Sequence, residues 1–258
     1  MNRFKFLLTS SLLLMSLSAI SAPKVYGKLN IALNNDGSDG VNEKEIDLIS
    51  NASRLGFKGK VDMKNGLTGI YQIEYQVDIT DDNKEADFDQ RNSFVGLKGN
   101  FGTLKLGTHD TPLKLAQLKA DLFNDLKGDI KNTTDGENRI GSFFGYDSPV
   151  FGGGVTISVG VGKGKDDGID GTDLDGEFGN NISVSLKYDI DVIKFVIATE
   201  NNSIKGYDHN RLGMMIPAGH VTIGLIHTTT ESSIGNSIDY DATTLSIAGK
   251  VADGKGKV

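Results

Sequence analysis

The chain has 258 residues, no cysteine, no tryptophan, 33 glycines and a formal charge of −7. It cannot rely on disulfides, and its acidic balance argues against nucleic acid, which calls for clustered positive charge. So many glycines with so few aromatics are poor material for a conventional interior and suit a structure whose inside is wet.

Arg3 and Lys5 precede an apolar run, Phe6 to Ile20, that is too short and too serine-laced for a membrane helix. With Ala19-Ile20-Ser21-Ala22 behind it, the run reads as a cleavable secretory signal over residues 1–21, leaving 22–258 as one domain. Without Arg3 and Lys5, 25 basic residues face 34 acidic ones, a charge of −9. No later segment approaches the ~18 consecutive apolar residues of a membrane helix, so the mature chain is soluble or crosses a membrane as strands.

Strand candidates follow one another from Lys24 onward. Lys24–Leu33 is closed by Asn34-Asn35-Asp36-Gly37, and in Ala52–Met63 the cations Arg54, Lys58 and Lys60 share one face while Leu55, Phe57 and Val61 share the other. Lys64-Asn65-Gly66, a tight-hairpin signal, leads to Leu67–Thr80. There Tyr71, Ile73, Tyr75, Val77 and Ile79 alternate with Gln72, Glu74, Gln76, Asp78 and Thr80, the period of a two-faced strand. Further candidates are Arg91–Gly99, Phe101–His109, Asn138–Tyr146, Val155–Val161, Asn181–Tyr188, Val192–Thr199, Arg211–Ile216, Val221–Thr229 and Ala242–Val251, about twelve strands in all. Short connections at Lys64–Gly66, Asn100, Pro149–Gly154 and Pro217–His220 alternate with long polar ones. This is the habit of an outer-membrane β-barrel, with lipid on the apolar face and water on the other.

Thr111–Glu137 is the long segment without a strand pattern. Pro112 ends the preceding strand, and the carboxylates Asp121, Asp125 and Asp129 recur every fourth residue, so a helical turn would place them on one side. Alone, they read equally as a solvated loop face. Arg54, Arg91 and Arg139 stand at or near strand starts, and parity points Arg54 inward. Facing the carboxylates of a loop folded into a lumen, these arginines would set a transverse field across a narrow passage.

Other motifs fail on spacing. Asp166–Glu177 does not supply the ligand positions of a calcium loop, and Gly160-Val161-Gly162-Lys163-Gly164 lacks the ending of a phosphate loop. His109, His209, His220 and His227 have no metal-ligand spacing, and no serine sits in a nucleophile elbow, so neither metal nor cofactor is expected. His109-Asp110 leaves open a barrel enzyme, a protease or lipid-modifying protein, and a secreted β-rich adhesin is a third reading.

Five segments together resemble the general diffusion porins of Gram-negative outer membranes: Val25-Tyr26-Gly27-Lys28, Ser53-Arg54-Leu55-Gly56-Phe57-Lys58-Gly59, Arg91-Asn92-Ser93-Phe94-Val95-Gly96-Leu97-Lys98, Phe101-Gly102-Thr103-Leu104-Lys105-Leu106-Gly107 and Asn138-Arg139. The resemblance implies an all-β transmembrane barrel of about sixteen strands, a homotrimer in outer-membrane lipid, and a third loop folded inward, here Thr111–Glu137. It implies a passive channel for ions and small hydrophilic solutes, without enzyme activity. It makes Arg54, Arg91 and Arg139 the basic side of the constriction and Asp121, Asp125 and Asp129 the acidic side, with Asp125 and Asn124 departing from the family's usual glutamate and proline. Family members end on an aromatic residue, whereas this chain ends Gly254-Lys255-Gly256-Lys257-Val258, about four strands early, so an incomplete barrel is expected. Net negative charge points to a mild cation preference that the arginines oppose locally.

Overall fold

The computed structural model describes residues 22–36, 45–81, 88–164, 177–201, 206–232, 239–251 and 256–257. The expected signal segment 1–21 and residues 165–176, most of the acidic run, lie outside them. The strands are β1 (Lys24–Lys28), β2 (Ile31–Asp36), β3 (Glu45–Ser50), β4 (Arg54–Asp62), β5 (Thr68–Val77), β6 (Phe88–Gln90), β7 (Ser93–Gly99) and β8 (Gly102–Asp110). After a short helix, α1 (Pro112–Leu115), come β9 (Arg139–Asp147), β10 (Val155–Gly162), β11 (Asn181–Ile190), β12 (Ile193–Asn201), β13 (Tyr207–Ala218), β14 (Val221–Ser232), β15 (Tyr240–Val251) and β16 (Gly256–Lys257).

Fourteen of these strands form one antiparallel sheet in which β4 follows β1 and chain neighbours pair from there to β16, with β6 beside β5. β2 and β3 form a separate hairpin beyond β1 and β4. Among the described residues no pairing joins β1 to β16. Lys64–Gly66, the loop between β4 and β5, is a tight turn with Asn65 and Gly66 both at positive φ (63° and 73°), as the Asn-Gly pair demands.

Two differences from the sequence reading have local causes. The run expected as one strand from Lys24 breaks into β1 and β2, and the stretch read as a polar loop holds β3; Ala52, at φ 49°, turns the chain between that hairpin and β4. The weak pattern at Arg211–Ile216 lengthens into the twelve residues of β13, because β14 pairs with it throughout, from Tyr207↔Ser232 to Ala218↔Val221.

Register separates two faces. Arg54, Gly56 and Lys58 lie opposite Gln76, Glu74 and Gln72, while Leu55 and Phe57 lie opposite Tyr75 and Ile73. The apolar row continues around the sheet through Val95↔Leu106, Val159↔Val184, Leu186↔Ile197, Ile197↔Leu212 and Leu225↔Leu245. Many of its side chains are exposed, among them Val95, Leu106, Leu186, Ile197 and Leu245. Buried apolar clusters form where the loop after β8 covers the other face: Leu113 and Ala116 pack on Val196 and Ala198, and Ala120 and Ile130 pack on Ile226. Among the described residues the sheet is thus oily outside and polar inside, with its buried apolar clusters under that loop.

Placing a cation at Leu186 or Ile197, in the middle of the oily face, should cost roughly 2–4 kcal/mol in a bilayer, whereas Ser158→Arg on the inner face, opposite Asp147, should cost little. The folded fraction recovered in lipid vesicles reads the difference; equal loss at both faces would mean the faces are assigned the wrong way round.

Candidate functional site: a charged passage under an inward loop

The loop from Thr111 to Asn138 is tied at its base and lies against one wall. Thr111 N donates to Asn138 O at 3.2 Å, and Thr111 Oγ1 caps α1 by accepting from Lys114 N, with Pro112 in the first turn. Leu113 N donates to Ser183 Oγ of β11 at 3.0 Å. Glycines let the loop backbone approach β13 and β14. A Cβ on Gly213 would fall 2.2 Å from Ala116 O, and one on Gly224 would fall 2.6 Å from Ala120 Cβ.

Arg211 of β13 fastens both ends of the loop. It is buried at 2% exposure, and its Nε donates to Thr228 Oγ1 at 3.0 Å. Nη1 reaches Glu137 Oε1 at 2.5 Å and Leu113 O at 3.4 Å, while Nη2 donates to Asp135 O at 2.9 Å. One guanidinium therefore satisfies the start and the end of the segment, and a planar fork with several donors suits that task better than an ammonium.

From this anchorage the loop crosses the inner space. Asp125, 69° in φ, presents Oδ2 to Arg54 Nη2 at 2.9 Å and to Lys28 Nζ at 3.1 Å, on β4 and β1. A cavity of about 480 Å³ lies beside this contact. Arg54, Arg91 and Arg139 line it from the wall; Lys114, Gln117, Asp125 and Asp129 line it from the loop. The sequence-selected arginines are thus brought together, each with a carboxylate. Arg91 Nε bonds Glu74 Oε1 at 2.8 Å, and Arg139 Nη2 meets Asp110 Oδ1 at 2.9 Å while its Nε donates to Asn92 Oδ1 at 3.0 Å.

The three selected aspartates do different things. Asp125 alone touches an arginine. Asp129 accepts from Asp125 N at 2.8 Å and Lys131 N at 2.9 Å, holding the loop tip in shape at the cavity's edge. Asp121 turns into the loop, accepting from Phe123 N at 3.1 Å; burial and then the nearby Asp129 raise its carboxyl above the usual range.

Glu74, Asp110, Lys28, Arg211 and Glu137 escaped the sequence reading as site members. Strand parity would have found Glu74, which shares the face of Gln72 and Gln76; no sequence signal couples Arg211 to a carboxylate 74 residues away. The His109 ring and the Asp110 carboxylate bond other partners and not each other. His109 Nδ1 lies 2.7 Å from the carbonyl of Asp110, its ring stacks on Phe143, and the Asp110 carboxylate is held by Arg139 and by Asn92 Nδ2.

Removing the guanidinium with Arg211→Met should destabilise the fold by about 3–5 kcal/mol, because Glu137 is left buried without its cation. Limited proteolysis should then cut within Thr111–Glu137. Arg211→Met with Glu137→Leu should recover part of the loss, and failure to do so would assign the effect to packing rather than charge.

Comparison with known proteins agrees with this architecture. A family model described as Gram-negative porin matches residues 8–258. The Major outer membrane protein P.IB of Neisseria gonorrhoeae is 28% identical over 160 residues, which is 58% of this chain and 45% of the relative. A Monosaccharide porin of Halomonas is 30% identical over 149 residues, 53% of this chain and 40% of the relative. The chain spans about half the length of the curated relatives it matches. Among solved structures, an anion-selective porin from Comamonas acidovorans superposes with a TM-score of 0.65 at 20% identity, covering 90% of this chain and 75% of that one, a likeness of fold. With a matching family model from end to end of the sheet, the chain belongs to the Gram-negative porins and is a protein of the outer membrane.

Proposed function

We propose that this chain, as residues 22–258 after loss of a signal segment, forms a water-filled channel for passive diffusion of ions and small hydrophilic solutes. The observation that carries the reading is the span of the Thr111–Asn138 loop: Arg211 anchors it on one wall, and Asp125 meets Arg54 on another. The inner space narrows there to a charge-lined gap.

The mechanism needs no covalent step and no cofactor. Solutes small enough for the gap cross in water, guided by rows of fixed charge and hydrogen-bonding groups such as Gln76 and Asn92. An apolar solute would displace water oriented by those charges and gain nothing in return, so it is penalised. The arginines Arg54, Arg91 and Arg139 serve as the basic side and Asp125 as its direct counterpart, with Asp121 and Asp129 shaping the loop that carries it. The Halomonas relative's name, monosaccharide porin, supports a lumen that admits small polar solutes.

We place the oily face against outer-membrane lipid and the protein in a homotrimer. The β2–β3 hairpin supports the second part. Leu33 pairs with Leu48, and Leu33, Ile46 and Leu48 lie on one side of the hairpin and are exposed. On β13 and β14 the outer face already turns polar at Asn210 and Thr229, fewer residues above the short turns. A bilayer has one thickness around the wall, so the taller apolar stretch calls for protein cover.

Planar-bilayer recording tests the channel: stepwise conductance that scales with bulk salt is expected, and persistent silence would remove the reading. Asp125→Asn, which takes away the negative charge beside Arg54 and Lys28, should raise anion preference, whereas Asp121→Asn should change it little because its carboxylate faces the loop's own backbone.

A further inference from the structure

The inner wall sorts its charges in a way the net charge conceals. Register places every strand lysine whose side chain is described, with Arg54 and Arg211, on the inner face, and Arg139, beyond the irregularity between Gly107 and His109, lines the same cavity as Arg54. The charges on the outer face of the long strands are acidic and sit near the long-loop ends: Asp208 opposite Glu231, and Asp241.

Most inward carboxylates are already taken; the exceptions are Glu200, buried with Asn138 Nδ2 donating to it at 3.3 Å, and Asp89 opposite Gln76, both at the long-loop end of the wall. Glu74 is held by Arg91, Asp110 by Arg139, Asp125 by Arg54, Asp147 by Lys105 at 2.9 Å and Asp189 by Lys194 at 2.6 Å. Lys24, Lys58 and Lys98 have no carboxylate within ion-pair distance among the described residues; the Lys58 ammonium instead stands 4.8 Å over the Tyr26 ring. Lys60 reaches Asp62 at 3.8 Å, with both side chains largely in solvent, where such a pair gains little. Lys24 and Lys58 are also direct cross-strand partners, an arrangement of like charges that costs stability. The charge left over on this wall is positive, and it is concentrated on β1, β4 and β7 between the arginines and the short turns.

We propose that Lys24, Lys58, Lys60 and Lys98 form an anion-attracting surface on the short-turn side of the constriction, and that the lumen passes small anions, carboxylate and phosphate compounds included, ahead of cations. The inference rests on the channel reading above. It replaces the cation preference expected from net charge. The acidic excess belongs to connecting segments such as Asp166, Asp167, Asp170, Asp173 and Asp175, which follow β10 in the chain, and not to the strand faces that line the passage. In a narrow aqueous passage with low-dielectric walls, fixed charges act across the width, because the screening length at physiological salt is about 8 Å.

The test is the reversal potential of the full chain in planar bilayers under a potassium chloride gradient. An anion-selective sign is expected, weakening as ionic strength rises. Lys58→Gln with Lys60→Gln and Lys98→Gln should lower the anion-to-cation permeability ratio by roughly two- to fivefold, the scale of solvent-screened charge interactions, with conductance retained. Replacing chloride by phosphate or a dicarboxylate should keep the sign. Conductance with a cation-selective sign overturns the inference and leaves the channel standing, whereas absence of conductance in the unaltered chain overturns the channel itself. An unchanged ratio in the triple variant, or in Lys98→Gln alone should the triple variant not insert, removes the lysines from the explanation.

Discussion

Backbone N–H and C=O groups inside a hydrocarbon layer find no water, so each strand must bond its neighbours, and the ladder from β1 through β4 and on to β15 meets that demand for the strands between its two ends. Once the backbone is satisfied by pairing, the side chains are free to serve two solvents. Tyr71, Ile73 and Tyr75 face one, and Gln72, Glu74 and Gln76 face the other. This division explains an apolar surface that would be a liability on a soluble protein, and an interior with more ion pairs than hydrocarbon. It also explains why the sheet needs no disulfide and no large core.

The loop supplies what the strands leave out. Where it lies on β11 to β14, the wall beneath it carries small or apolar residues, Ala198, Gly213, Gly224 and Ile226, in place of the charges found on β4 and β5. That region accepts backbone packed against it, and it is where Leu113, Ala116 and Ala120 settle. Arg211 is buried there with carbonyls and a carboxylate to bond, which a guanidinium desolvated in this way requires. The same packing aims Asp125 at the opposite wall. Position of the charged gap is therefore a consequence of apolar contacts some distance from it.

Most of the sheet could be read from the sequence because a period of two is a local signal, strong wherever the two solvents differ. Asn181–Tyr188 is an example, and β11 follows it from Asn181 to Ile190. The signal fails where turn-forming residues interrupt it, as Asn34-Asn35-Asp36 does inside β2, or where glycine does, as at Gly213. The gathering of Arg54, Arg91 and Arg139 was equally legible, since each stands at or near a strand start and all three line one cavity. The acidic side was half legible. Spacing by four selected Asp121, Asp125 and Asp129 as equals, but a segment that is only briefly helical turns them in different directions, and Asp121 and Asp129 bond backbone amides instead of arginines. Pairs such as Arg211 with Glu137 depend on how the loop lies, and neither composition nor periodicity reports that.

Net charge misleads for a related reason. It sums over residues that, on the channel reading, a passing solute never meets together: connecting segments, an outer face and an inner wall. The relevant sum runs over the inner wall and excludes charges already neutralised by a partner within ion-pair distance. Of the inward carboxylates, those of Glu74, Asp110, Asp147 and Asp189 drop out on that count, while the lysines opposite one another on β1 and β4 do not. An acidic protein can therefore hold a basic passage, because alternation along the strand sends its cations inward while its surplus carboxylates collect in the connections.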